Sequence, residues 1–481
     1  MLFRCLLLCA LVLATSLTGA RAQNTFELPD LGTSALKALP IEKERVIGDV
    51  MMMQIRGNSP VINDPVLDEY LRGLGNQLVS HADDIRFPFS FFWVNNPDIN
   101  AFAFYGGHVG VHTGLIAQAD NESQLASVLG HEIAHVTQRH LARRLQQQQD
   151  NSGMTIAGLI AGVLATMVSP DAGLAIISGT QTQGALNQLT HSRGAEQEAD
   201  RIGMRTLYDA GFDPKASGEF LTKLSAQIRY KQKPPIFLLT HPLPQSRVSD
   251  VRLRAQQYQD RPYADNLLFH LAKSRVIARF NGSSTHAEAQ FRKQLKEHSF
   301  GDTSALRYGL ALTLIDQKKF DEAKSLLDEL LQKAPDNLFY LDSLTDYYVG
   351  KGEPEKAVEH LRPFHQLRPN NQVITLNFAH AAIEAKQYKL AEELLRSFAL
   401  EKPDHILAKQ LLTDTYKHQE NRAAYHEANA DLLAQYGAYM KAADEVQKAL
   451  NHIEPNEILK QKRLKALLSQ YRAMQKELSS L

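Results

Sequence analysis

Ala323, Ala357 and Ala391 recur at intervals of 34 residues, with Ala289 one interval earlier, and Pro335, Pro369 and Pro403 keep the same spacing. Three residues before the later alanines, the same phase holds Phe320, Pro354 and Tyr388. A small residue where two helices cross, and a proline closing the second one, describe a helix–turn–helix unit. Such a unit cannot bury its apolar face alone, so units must stack, which predicts an all-α solenoid with a concave face. Three units are well formed, at about 304–337, 338–371 and 372–405. The one before, about 270–303, keeps Ala289 but lacks the closing proline, and later units decay. The solenoid is expected over 265–436, followed by a Lys-rich helical tail over 437–481.

The other end of the chain reads MLFRCLLLCALVLATSLTGARA. Arg4, the apolar run Cys5–Leu17 and Ala20-Arg21-Ala22 have the order of a signal peptide, with cleavage after Ala22. The run is shorter than the ~20 residues a spanning helix needs. Cleavage removes Cys5 and Cys9, the two cysteines of the sequence, so the mature chain is expected in the periplasm without thiols. Loss of Arg4 and Arg21 takes 53 basic groups to 51 against 53 acidic ones, a net −2. That balance argues against a nucleic-acid partner, which leaves a clear basic excess.

Between these ends, residues 23–260 have mixed character. A helix is expected over Ile41–Ile55, and another from Pro65 with Asp64 as its N-cap. The aromatic run Phe87–Val94 reads as a strand, and Asn100–Leu115 as strand, Gly-Gly turn and strand. Glu122 opens a helix expected to continue into the polar stretch Arg143–Gln149. Met154–Val168 is uncharged and 15 residues long, which suits a buried helix or a flap over a cleft. A further helix is expected over Ser192–Ala210, ending at Gly211. The four prolines of Lys231–Pro244 exclude a continuous helix.

The chemistry lies at His131-Glu132-Ile133-Ala134-His135. On a helix, positions i and i+4 share a face, so the two imidazoles address one point. Glu132 stands beside them, where its carboxylate reaches a metal-bound water as general base without being a ligand. Zinc is the expected metal, one per chain, with a carboxylate as third ligand and an open fourth position. The acids Glu196, Glu198 and Asp200 lie on the later helix. Glu196 and Asp200 share a face and Glu198 points elsewhere. Glu196 reaches further and is the expected ligand; Asp200 then orients a zinc-bound imidazole or donates a proton. His108 and His112 read as same-face strand residues. His140 is turned half a circle from His131 and is excluded as a ligand. His241 sits on a proline-bounded loop from which it could reach the open zinc position, either closing it as a latency device or polarising the substrate carbonyl.

In combination these residues resemble the HtpX-like and CAAX-prenyl-endopeptidase-like zinc metallopeptidases. The matching stretches are Asn100–Ala103, Gly106-Gly107 and Thr113–Leu115; Leu129–His135 with Arg139-His140; Ser192-Arg193 with Glu196, Glu198, Ala199, Asp200 and Gly203; and His241-Pro242 with Ser246-Arg247. The resemblance implies an α+β zincin-type domain, Glu196 as third ligand and Glu132 as general base. It also makes Arg247, with Asp200, a candidate support for the ligands. The 34-residue unit has the tetratricopeptide pattern. Signal peptide, peptidase and repeats together resemble a periplasmic group of such enzymes, over nearly the full length. This implies protease and chaperone action at the outer-membrane barrel assembly machinery on client β-barrels, including the lipopolysaccharide-export barrel, with a peripheral contact to the outer membrane. If relatives keep a C-terminal cysteine pair, no thiol-dependent control operates here. The alternative is a non-enzymatic tetratricopeptide scaffold with a vestigial metal site, against which the retained Glu132 argues. A membrane-embedded prenyl-type protease is opposed by the lack of a spanning segment in the mature chain.

Overall fold

The computed structural model describes residues 39–152, 192–230, 235–297 and 303–480. The expected signal peptide and Met154–Val168 lie outside them. A helix, α1 (Ile41–Asn58), leads through β1 (Val61–Ile62) to α2 (Pro65–Val79), β2 (Ser90–Val94), β3 (Ala101–Phe104), β4 (His108–His112) and the short α3 (Thr113–Gln118). As expected, Asp64 caps α2, its carboxylate accepting from the Leu67 amide at 3.1 Å. The sheet order is β1-β2-β4-β3, with β2 and β4 parallel and both outer pairs antiparallel. The sheet expected within 87–115 thus gains β1, whose two residues are too few to show a pattern.

Alternation along β2 sets the layers. Phe92 and Val94 pack with Met51, Met52 and Ile55 of α1 on one face. Trp93 enters the opposite core with Leu67 and Leu71 of α2, and its indole N–H donates to the Leu67 carbonyl at 2.9 Å. Each such fully buried apolar side chain contributes about 1.5–3 kcal/mol.

Across that core lies α4 (Glu122–Thr137), capped by Asn121, whose side chain accepts from the Gln124 amide at 3.0 Å. Its apolar side, Leu125, Val128, Leu129 and Ile133, faces inward. The helix does not run on into Arg143–Gln149 as expected. It ends at Thr137, Arg139 adopts φ 51°, and α5 (His140–Ser152) starts afresh. The Arg139 guanidinium explains the break: it is buried, held by Glu44 at 2.8 and 3.0 Å and by the Leu39 carbonyl at 2.6 Å.

Then come α6 (Arg193–Asp209), α7 (Lys215–Tyr230), α8 (Ile236–Thr240) and α9 (Gln245–Ala255). Ser192 caps α6, and Gly211 takes φ 98° just past its end. Within the proline-rich stretch, the described helix is the five-residue α8.

From α10 (Leu267–Phe280) onward the chain is helical hairpins: α11 (Ser284–Glu297), α12 (Ser304–Asp316), α13 (Phe320–Lys333), α14 (Leu338–Lys351), α15 (Pro354–Leu367), α16 (Gln372–Glu384) and α17 (Tyr388–Glu401). Phe320, Pro354 and Tyr388 open the second helix of each unit, and Ala323, Ala357 and Ala391 are buried at the crossings. A left-handed turn residue recurs with the same period, at Lys318, Gly352, Lys386 and Glu420. The unit before them departs from the expectation: the buried small residue is Ala287, fourth in α11 as Ala323 is in α13, while Ala289 is exposed. The pairs continue through α18 (Ile406–His418), α19 (Arg422–Ala434), α20 (Tyr439–Asn451) and α21 (Ile458–Ser480). Among the described residues no strand follows residue 265, and no helix is long and apolar enough to cross a membrane.

The inner face of the solenoid is not free. The peptidase helix α2 packs on α10, α14 and α16. Arg275 on α10, fully enclosed, reaches Asp64 at 2.6 Å and Asp342 of α14 at 2.6 Å. Farther along, Arg72 donates to Gln372 at 2.8 Å, Gln372 to the Pro65 carbonyl at 3.0 Å, and Asn371 to Glu69 at 2.9 Å. At the other end the Tyr439 hydroxyl lies 3.4 Å from Met53 Sδ on α1. Peptidase and solenoid therefore share a core: one apolar cluster runs from Ile62 to Val373.

Candidate metal centre

Two helices meet back to back to build the site. Gly130 on α4 faces Gly203 on α6 so closely that a Cβ at Gly203 would clash with the Gly130 carbonyl and one at Gly130 would be tight. This approach carries Glu196 of α6 to His131 and His135 of α4. The Nε2 atoms of the two histidines lie 2.9 Å apart, and Glu196 presents Oε2 to His131 and Oε1 to His135, each at 3.4 Å. His241, at the C-terminal end of α8, completes the group: its Nδ1 is 3.0 Å from Glu196 Oε1 and 3.3 Å from His131 Nε2. One ligand-type atom from each of the four residues lies within 4.8 Å of the others. Glu132 stands beside the group, its Oε1 3.3 Å from His241 Nε2.

The surrounding contacts fix which atoms face inward. His131 Nδ1 lies 3.0 Å from Asp200 Oδ1. A carboxylate accepts only, so in the neutral ring a proton on Nδ1 would face Asp200 and leave the Nε2 lone pair for the group. Asp200 is itself gripped by Arg247, Nε to Oδ2 at 2.5 Å and Nη2 to Oδ1 at 2.8 Å, and the same guanidinium pairs with Glu196 Oε2. Burial would raise the Asp200 pKa, but Arg247 and His131 outweigh it and hold the carboxyl low. That favours the orienting role for Asp200 over proton donation.

Glu196 behaves similarly: burial would raise it, yet His241 and the hydrogen bonds of the three histidines keep it well below the usual carboxylate range. Glu132 differs. Burial pushes its carboxyl up, against the opposing pull of His241 and His131. Burial would lower His131, but the Asp200 and Glu196 carboxylates raise it to about 9, so a cation binding at Nε2 would have to displace a second ring proton. Three imidazoles and a carboxylate converge in a buried group that could hold a cation, and this nitrogen–oxygen donor set fits zinc.

His135 is supported from a side that the helical rotation had excluded. Because the helix breaks at Arg139, His140 swings beside it, Nδ1 to Nδ1 at 2.7 Å, and its Nε2 meets Glu198 at 3.0 Å. Glu198 does point away from Glu196, as expected, but toward α5, where Arg143 donates to it at 2.7 Å. The Arg139-His140 pair was visible in the sequence; the break was not. His108 and His112 lie on one face of β4, with His112 against the edge of Phe102. The outer strand β3 runs past α4, where the Ala103 backbone hydrogen-bonds Glu132.

Residues 65–255, which contain this whole group, match peptidase family M48, and residues 348–415 match a tetratricopeptide repeat. The chain is 40% identical over 437 residues to a putative β-barrel assembly-enhancing protease of Vibrio cholerae, covering 91% of this chain and 90% of that protein. It is 39% identical over 456 residues to the β-barrel assembly-enhancing protease of Escherichia coli K12, covering 95% and 93%. A shorter match, 34% over 155 residues, links 31% of the chain to 29% of the mitochondrial metalloendopeptidase OMA1 of Bos taurus.

Proposed function

The chain belongs to the β-barrel assembly-enhancing proteases, within peptidase family M48, and from that premise we propose that it is a periplasmic zinc metalloendopeptidase that promotes assembly of outer-membrane β-barrels and degrades misassembled ones. The observation that carries this reading is the convergence of His131, His135, Glu196 and His241 with Glu132 beside them. His131, His135 and Glu196 would hold one zinc per chain, which supplies a Lewis acid for the scissile carbonyl and lowers the pKa of the attacking water. Glu132, its carboxyl raised by burial, takes the proton of that water and passes it to the leaving amine. Asp200 and Arg247 hold the His131 ring in the ligating tautomer. The outer strand β3 offers its edge to an extended peptide beside Glu132.

His241, 3.0 Å from Glu196 and 3.3 Å from His131, would occupy the side of the group left open by the three ligands and keep the enzyme latent until a client displaces it. The solenoid, with chaperone-like action, docks the enzyme on the barrel assembly machinery at the outer membrane and on clients, including the lipopolysaccharide-export barrel. Since α2 covers the inner helices, a partner would use other surfaces, such as the helix ends where Leu367 and Leu400 are 80% and 86% exposed. Metal analysis with digestion of a misfolded barrel, on wild type and Glu132→Gln, tests the reading. A metal-free wild type, or a variant that digests as well as wild type, would leave the scaffold alternative standing.

A further inference from the structure

His135 reaches the metal group through Nε2, so its Nδ1 must carry the ring proton and needs an acceptor. The atom opposite Nδ1 is neither a carbonyl nor a carboxylate but another imidazole nitrogen, His140 Nδ1 at 2.7 Å. The far nitrogen of His140 lies 3.0 Å from the Glu198 carboxylate, which can only accept, so that nitrogen carries the His140 proton. In the neutral ring this leaves Nδ1 with a lone pair, and these contacts fit one direction: His135 donates to His140, and His140 donates to Glu198. Arg143, 2.7 Å from the same carboxylate oxygen, anchors the outer end.

We propose that His140 and Glu198 are positioning residues for the metal, a two-step hydrogen-bond chain that locks His135 in its ligating tautomer and orientation. This inference rests on the zinc-peptidase reading of the centre. The backbone supports it independently. On an unbroken helix nine residues separate His131 from His140 by about half a turn, and His140 would face away. The chain instead places a non-glycine residue, Arg139, at φ 51° and holds it there with Glu44 and the Leu39 carbonyl. A left-handed arginine is an uncommon conformation that surrounding contacts must enforce. Its consequence here is to swing His140 under His135. The two ligands are thus supported unequally: His131 touches its carboxylate, Asp200, directly, whereas a neutral ring separates His135 from Glu198.

The test measures zinc affinity of the full-length protein by competition with a chromophoric chelator, with cobalt absorption of the substituted protein reporting ligand geometry. His140→Phe keeps the ring and removes the acceptor, and should weaken zinc binding about 10–100-fold. His140→Asn places a carbonyl oxygen near the lost nitrogen and should recover most of that affinity and the wild-type cobalt spectrum. Glu198→Gln, on the partly exposed end of the chain, should fall between. Wild-type affinity in His140→Phe overturns the proposal, as does equal loss in the Phe and Asn variants, which would indicate packing alone. A wild type that binds no zinc would instead sink the zinc reading itself, so the two failures are distinguishable.

Discussion

Gly130 and Gly203 touch across α4 and α6: a Cβ on Gly203 would lie 2.8 Å from the Gly130 carbonyl oxygen and 2.9 Å from the His131 amide nitrogen. Both neighbours are helical backbone and cannot swing aside. Replacing a helical glycine by alanine ordinarily gains about 1 kcal/mol. Here the forced separation should dominate, costing about 1–3 kcal/mol. Gly203→Ala should therefore lower the melting temperature and, by withdrawing Glu196 two turns away, weaken zinc binding. Zinc titration and thermal denaturation of the variant check both.

Glu132→Gln should separate metal binding from turnover. The carboxylate is outside the ligand group, and glutamine preserves its shape, so zinc content should stay at the wild-type level. Loss of the proton acceptor should reduce peptide cleavage about 10²–10⁴-fold. Metal analysis and peptide hydrolysis on one preparation give both readings.

The residues that converge at the centre were legible because their chemistry is local. His131 and His135 follow from helical spacing, and Glu196 and Asp200 from sharing a face of one helix. His140 was not legible, since its position depends on a break enforced by Glu44, 95 residues upstream of Arg139 in sequence. The three regular repeats could be read from period alone. Ala287 was hidden because its unit is offset by two residues from the period that Ala289 keeps. The seat of α2 on the solenoid depends on Arg275 meeting Asp64, 211 residues away, and no periodicity announces such a pair.

Acid should destabilise the fold through His112. The ring is buried behind β4, which pushes its pKa from 6.5 down to about 4. The unfolded chain takes up a proton near pH 6.5 that the folded chain refuses until about pH 4. Stability from this group is therefore intact above 6.5 and falls as pH drops through that window, by about 3 kcal/mol in total. His405, also pushed down to about 4 by burial, works in the same direction. Melting temperature against pH should be flatter for His112→Phe than for wild type between pH 6.5 and 4.

Arg275→Ala should loosen the solenoid from the peptidase. The guanidinium bridges two buried carboxylates, Asp64 and Asp342. Removing it leaves both uncompensated, a loss of about 3–5 kcal/mol. Asp342, already raised to about 6 by burial against the pull of Arg275, would move higher still. The extended stretch at 259–266 should then become a site of proteolytic nicking, detectable by limited chymotrypsin digestion after Tyr263, while zinc, held by the other face of the peptidase core, stays bound.

His241→Ala decides between latency and transition-state assistance. His241 is 2% exposed and Glu132 1% exposed, and they lie 3.3 Å apart. A peptide carbonyl cannot reach Glu132 while that imidazole stands between the ligands. The ring is also held in place, stacked on Phe237 at 4.5 Å with its own amide bonded to the Phe237 carbonyl at 2.9 Å. A side chain poised only to polarise an incoming carbonyl would leave the approach open; this one closes it. Such a closed arrangement can be opened if a client binds the displaced form more tightly than the closed one. We therefore expect His241→Ala to cleave an unfolded protein faster than wild type, with zinc still bound through His131, His135 and Glu196. Loss of cleavage with zinc unchanged would assign His241 to the transition state instead.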